Sequence, residues 1–113
     1  MREKPKDNDR LLHIVEAIDT IFEFLEGKTF DEYQKDKILK FSIVKNLEIV
    51  GEASYKLTAD FRKNNPEIEW DDIILMRHIL VHGYYRIKDE IVWATIETDL
   101  LPLRSKIVKL IKT

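Results

Sequence analysis

Apolar residues recur every three or four positions along almost all of this 113-residue chain, and it holds only three glycines and three prolines. That spacing lays an apolar stripe along one face of a helix, and few residues interrupt it. The sequence therefore predicts four helices and no sheet; the run Tyr84 to Ile87 is too short for a strand. The first helix spans about Asp9 to Glu26, with Leu11, Leu12, Val15, Ile18, Phe22 and Leu25 on its stripe and Gly27 as its stop. The second opens at Thr29, where Thr29-Phe30-Asp31-Glu32 reads as a capping box, and runs to about Lys63. Gly51 lies inside it at a cost of about 1 kcal/mol relative to alanine. Close packing of a neighbouring helix at Gly51, Ala53 and Ser54 would offset that cost, and a kink is the alternative. Asn64-Asn65-Pro66 ends the second helix. Asp71 and Asp72 open the third, which ends near Gly83. The fourth begins at about Asp89, and Pro102 is expected to bend or break it. Short connections between helices of this length predict an all-α, antiparallel up-and-down bundle, with residues 1–113 as a single domain.

The formal charge is −2. A protein that coats nucleic acid needs a basic surface, so any contact with RNA must be local, at a small positive site. There is no cysteine, hence no disulfide and no thiolate metal site, which fits a reducing compartment. No apolar run approaches the length of a membrane span, and Met1 to Arg10 is too polar for a signal peptide. A cytoplasmic protein is expected.

The segment Met76-Arg77-His78-Ile79-Leu80-Val81-His82-Gly83-Tyr84-Tyr85 is the richest in chemistry. It holds two of the three histidines, a permanently charged planar donor fork, and two phenols. On a helix, His78 and His82 share a face one turn apart, and Arg77 and His82 lie about 140° apart on adjoining flanks. Such a set suits cleavage of RNA by its own 2′-hydroxyl. A base takes the 2′ proton, the oxygen attacks phosphorus, an acid protonates the departing 5′ oxygen, and a cation stabilises the equatorial oxygens. His82 suits the proton transfer and Arg77 the charge. Each residue also has an ordinary use. A histidine near a helix end caps carbonyls, an arginine pairs with a carboxylate such as Glu48, Glu52 or Asp71, and tyrosines pack. His78 and His82 at one-turn spacing also suit a metal, but Ile79 stands where the zinc-protease motif has glutamate, and no third ligand is evident. His13 is expected to be structural or exposed. Glu48 with Glu52, and Lys35, Lys37, Lys40 and Lys45, are expected to be solvated, the lysines with some capacity to steer phosphate.

Arg77, four residues, His82, Gly83, Tyr84 resembles the R-x4-H-x-Y motif of HEPN-domain proteins, and the chain resembles most closely the HepT-like family, the toxin half of HepT–MntA toxin–antitoxin pairs. Asn46-Leu47-Glu48-Ile49-Val50-Gly51-Glu52-Ala53, Trp70, Met76-Arg77, Glu90-Ile91-Val92-Trp93 and Leu101-Pro102-Leu103 follow that family in order and spacing. The resemblance implies a HEPN-like bundle that forms a homodimer with the motif in a cleft at its interface. It implies a metal-independent endoribonuclease without cofactor, with Arg77 and His82 catalytic. It implies a type VII toxin silenced when an MntA-like nucleotidyltransferase antitoxin transfers AMP to Tyr84. His78 departs from the asparagine common after the arginine and is assigned a secondary role in phosphate binding or proton transfer; Tyr85 is expected to pack. The alternative reading is a non-catalytic helical module that binds a nucleotide or a nucleotidyltransferase partner.

Overall fold

The computed structural model describes residues 6–112, without the Tyr84 side chain. Every element among them is helical: α1 (Asp7–Leu25), α2 (Phe30–Lys35), α3 (Lys37–Lys56), α4 (Ala59–Asn64), α5 (Trp70–Gly83), a 3-10 turn (Tyr84–Arg86), α6 (Asp89–Thr95) and α7 (Leu101–Leu110). Ile96–Leu100 form a π turn that joins α6 to α7. Cross-chain bonds fix the directions. Thr58, just past α3, donates its backbone N–H and hydroxyl to Asp7 at the start of α1, at 2.9 and 2.8 Å. At the far end of the chain, Lys112 and Asn8 exchange hydrogen bonds, and Arg104 grips Asp19 with two guanidinium nitrogens at 2.6 and 3.1 Å. Hence α3 and α7 both run antiparallel to α1. Arg77 meets Gly51 and Glu52, while Leu80 lies with Val44 and Tyr85 with Phe41 around one cavity, so α5 runs antiparallel to α3. The result is the up-and-down bundle, with α3 between α1 and α5, and α7 on the other flank of α1.

The second predicted helix is three helices. Asp36 ends α2 and caps α3, its carboxylate accepting the Leu39 N–H at 3.0 Å. Thr58 likewise caps α4 by accepting from Phe61. A short polar side chain that takes a backbone donor competes with helix continuation, which is why these positions interrupt an apolar pattern that runs on through them. The break also turns the stripe. Leu39, Ile43, Leu47 and Val50 form the buried seam of α3, whereas Ile38 and Phe41 are exposed. On α1 the seam is Leu11, Ile14, Ile18, Ile21 and Leu25, and Leu12 lies outside it. The Thr29 capping box forms as expected, with Glu32 N–H donating to the Thr29 hydroxyl and the Glu32 carboxylate accepting the Thr29 N–H. It starts α2, which docks through Phe30 and Tyr33 on Trp93, both ring pairs 5.5 Å apart.

The regular α bonding of the fourth predicted helix breaks just ahead of Pro102, where α6 gives way to the π turn. Pro102 itself sits in the first turn of α7, directly after the π turn. A proline is tolerated in a first turn because the amide it lacks would have no partner there, and the wider π turn re-registers the bonds ahead of it. No helix of the described residues is long and apolar enough to cross a membrane.

A candidate active site on the third long helix

Arg77 owes its position to α3. A Cβ added at Gly51 would lie on the Arg77 Cβ, 2.9 Å from its Cγ and 3.2 Å from its Cα. Contacts of that length fall inside the ordinary 3.5–4.0 Å carbon–carbon separation, so α5 can lie this close to α3 only because residue 51 has no side chain. The glycine cost in α3 is the condition for seating Arg77, and the predicted close packing at Gly51 is what the fold contains. One residue on, Glu52 Oε1 stands 3.0 Å from Arg77 Nε, and the same carboxylate faces Lys56 through its other oxygen at 3.4 Å. Oε1 is buried and has no hydrogen-bond partner among the described residues. The contact with Arg77 is thus an ion pair whose N–H is not aimed along it. Glu52, one of the carboxylates expected to pair with the arginine, does so while staying 39% exposed.

His78 and His82 stand on another flank of α5. His78 and His82 are both exposed, and their rings contact at a centroid separation of 4.6 Å, tilted by 51°. They share that flank with Leu75 and Ile79, which are 55% and 45% exposed. Positions 75, 78, 79 and 82 form one helical stripe, so the two imidazoles lie in an open apolar strip. Arg77 faces α3 and His82 faces outward, on the different flanks expected from the helical spacing. The Tyr84 side chain lies outside the described residues; its backbone opens the 3-10 turn after Gly83. Tyr85, expected to pack, is 68% exposed, with the Arg86 guanidinium carbon 5.4 Å from its ring centre.

The sequence did not bring out what surrounds Arg77. A cavity of about 260 Å³ opens between α1, α3 and α5, lined by Arg10 and His13 of α1, Lys45, Glu48, Glu52 and Lys56 of α3, and Arg77 and Val81 of α5. Of these residues, His13 is expected from the sequence to be structural or exposed and Lys45 to be a solvated lysine with some capacity to steer phosphate, and nothing singles out Arg10. Their convergence depends on how α1 rotates against α3, which no local pattern encodes. Among the described residues no three histidine, aspartate or glutamate side chains cluster as a metal site would require.

Residues 14–110 match the family described as "Ribonuclease HepT-like". The chain is 37% identical over 109 residues to "Probable ribonuclease HepT" of Thermococcus cleftensis, covering 96% of this chain and 99% of that one. It is 36% identical over 91 residues to "Putative RNase MJ0127" of Methanocaldococcus jannaschii, covering 79% and 75%. It is 30% identical over 102 residues to "Putative RNase TTE0752" of Caldanaerobacter subterraneus subsp. tengcongensis, covering 90% and 91%. No solved structure matches the chain.

Proposed function

The chain belongs to the HepT-like ribonuclease family, and from that premise we propose that it is a metal-independent endoribonuclease in which Arg77 and His82 act on one scissile phosphate. The observation that carries this reading is the seating of Arg77. A glycine is spent in mid-helix to admit it, and a carboxylate orients it at the edge of a cavity. A purely structural ion pair is a weak reason for that arrangement. The two side chains are 31% and 39% exposed, and pairs so exposed contribute about 0–1 kcal/mol, no more than the roughly 1 kcal/mol the glycine costs.

In the proposed reaction one group removes the 2′-hydroxyl proton. The 2′ oxygen bonds to phosphorus, the bond from phosphorus to the 5′ oxygen breaks, and a proton passes to that oxygen. The products are a 2′,3′-cyclic phosphate and a free 5′-hydroxyl. His82 serves one proton transfer, and Arg77 stabilises the charge on the equatorial oxygens. His78, in ring contact with His82, has the secondary role in phosphate binding or proton transfer. DNA, without the attacking hydroxyl, is left intact.

A homodimer accounts for the open strip. Leu75 and Ile79 flank the histidines in solvent, and a second protomer laid on them would bury apolar surface and wall a groove around His82. The regulatory part of the proposal is a toxin role, in which an MntA-like nucleotidyltransferase antitoxin joins AMP to Tyr84. That adduct would add bulk and negative charge close along the chain to Arg77, where substrate phosphate must sit.

The test is cleavage of RNA by the purified protein in chelator, set against Arg77→Ala and His82→Ala. Losses of on the order of a hundredfold or more are expected for each, with cyclic-phosphate ends on the wild-type products. Equal activity in all three would reject the assignment.

A further inference from the structure

We propose that the cavity between α1, α3 and α5 holds a backbone phosphate of the RNA adjacent to the one being cut, with Arg10 and Lys45 as its principal ligands. The proposal rests on the ribonuclease reading for the identity of the polyanion. The charge distribution is its first support. The chain as a whole is −2, yet four permanent cations, Arg10, Lys45, Lys56 and Arg77, face this one cavity against the carboxylates of Glu48 and Glu52. A concave site with a local excess of positive charge raises the potential there, which an otherwise acidic protein needs if it is to hold a polyanion at one place.

The second support is the state of the donors. Glu52 is engaged by Arg77 and Lys56. Arg10 Nε is buried and has no hydrogen-bond partner among the described residues. The side chain that carries it lines the cavity without a carboxylate paired to it among the described residues. The third is geometry. Arg10 and Arg77 reach the cavity from different helices, presenting two planar forks of the kind that grip phosphate. At about 260 Å³ the space suits a phosphate and part of a sugar rather than a protein element. Arg77 is common to this cavity and to the proposed cleavage site, so an RNA strand that crosses α5 puts neighbouring phosphates on either side of one guanidinium.

Binding of a 2′-O-methyl oligoribonucleotide, which lacks the attacking hydroxyl, separates this claim from catalysis. Fluorescence anisotropy over a salt series would compare the wild type with Arg10→Gln/Lys45→Gln, Arg10→Lys, and Lys109→Gln as an exposed control, all checked for folding by circular dichroism. The double variant should bind on the order of tenfold more weakly, and its log–log salt slope should fall by about 0.7, the value for neutralising one fewer phosphate on a single strand. Arg10→Lys, which keeps the charge but loses the fork, should bind more weakly than the wild type and more tightly than the double variant, and Lys109→Gln should match the wild type. With cleavable substrates, wild-type activity should favour a longer RNA over a dinucleotide that carries only the scissile phosphate, and the double variant should lose that preference. An unchanged affinity and slope in the double variant, or no binding by the wild type at low salt, would overturn the proposal. Displacement of the oligonucleotide by equimolar AMP would also overturn it, marking a mononucleotide site. If the wild type binds as described but cuts no RNA, the ribonuclease reading fails and the phosphate site stands.

Discussion

Substituting Gly51 by alanine tests whether the contact between α3 and α5 is built around Arg77. In an open helical position the change would stabilise the protein by about 1 kcal/mol through helix propensity. Here the new methyl meets the Cβ of Arg77, with Cγ at 2.9 Å and Cα at 3.2 Å. Two of these atoms are anchored at the backbone, so a rotamer change cannot clear them. Restoring a separation of 3.5–4.0 Å from the Arg77 Cβ requires the helices to part by about 1–2 Å. Overpacking of that kind costs about 1–3 kcal/mol. Set against the propensity gain, the net loss is about 1 kcal/mol, or a fall in Tm of about 4 °C for a domain of this size. The effect on chemistry is larger, because a misplacement of about 1 Å in a charge-stabilising group can lower the rate about a hundredfold. Thermal unfolding and kcat/KM on RNA, measured on the same preparation, supply both numbers. Gly83→Ala is the internal control: its added methyl meets nothing within 4 Å, so its Tm should hold or rise. If Gly51→Ala melts at or above the wild type and retains full activity, the close approach does not hold Arg77 and the reasoning is wrong.

Ile43→Ala, at a side chain with no exposed surface on the α1–α3 seam, should cost about 2–5 kcal/mol in denaturant unfolding. The Glu32 carboxyl is held below its ordinary value, first by the Thr29 backbone N–H and then by the Thr29 hydroxyl. Its contribution is present above the unfolded-state pKa and lost as pH falls through the lowered folded value, so Glu32→Gln should flatten the acid limb of the stability–pH curve. Burial, with Asp89 second, pushes the Tyr33 phenol from 10 to about 12. The unfolded chain releases that proton first, so stability should fall between pH 10 and about 12, and Tyr33→Phe should lessen the fall in thermal melts. Mixing Arg77→Ala with His82→Ala protomers in equal amounts should restore up to about a quarter of the activity if each site takes its arginine and histidine from different protomers, and none if both come from one.

Much of this protein is local in origin. Residues three and four apart share a helix face whatever the rest of the chain does, so the apolar spacing was enough for an all-α bundle with α1, α5 and the α6–α7 rod near their expected ends. The Thr29 cap and the ring contact of His78 with His82 follow from the same short-range geometry. Gly51 was legible as a place of close approach because a glycine in mid-helix needs a reason. Asp36 and Thr58 were less so, because a capping residue and a surface polar residue look alike until the backbone donor it takes is known. What tertiary structure alone decided was which cations meet. Arg10, Lys45 and Arg77 are far apart in the chain and carry no shared pattern. Their convergence depends on the rotation of three helices about their own axes, set by how the seams of Ile14 and Ile18, Ile43 and Leu47, and Leu80 interlock. That packing is a property of all the side chains together, and it is what turned an arginine on a helix into one wall of a charged cavity.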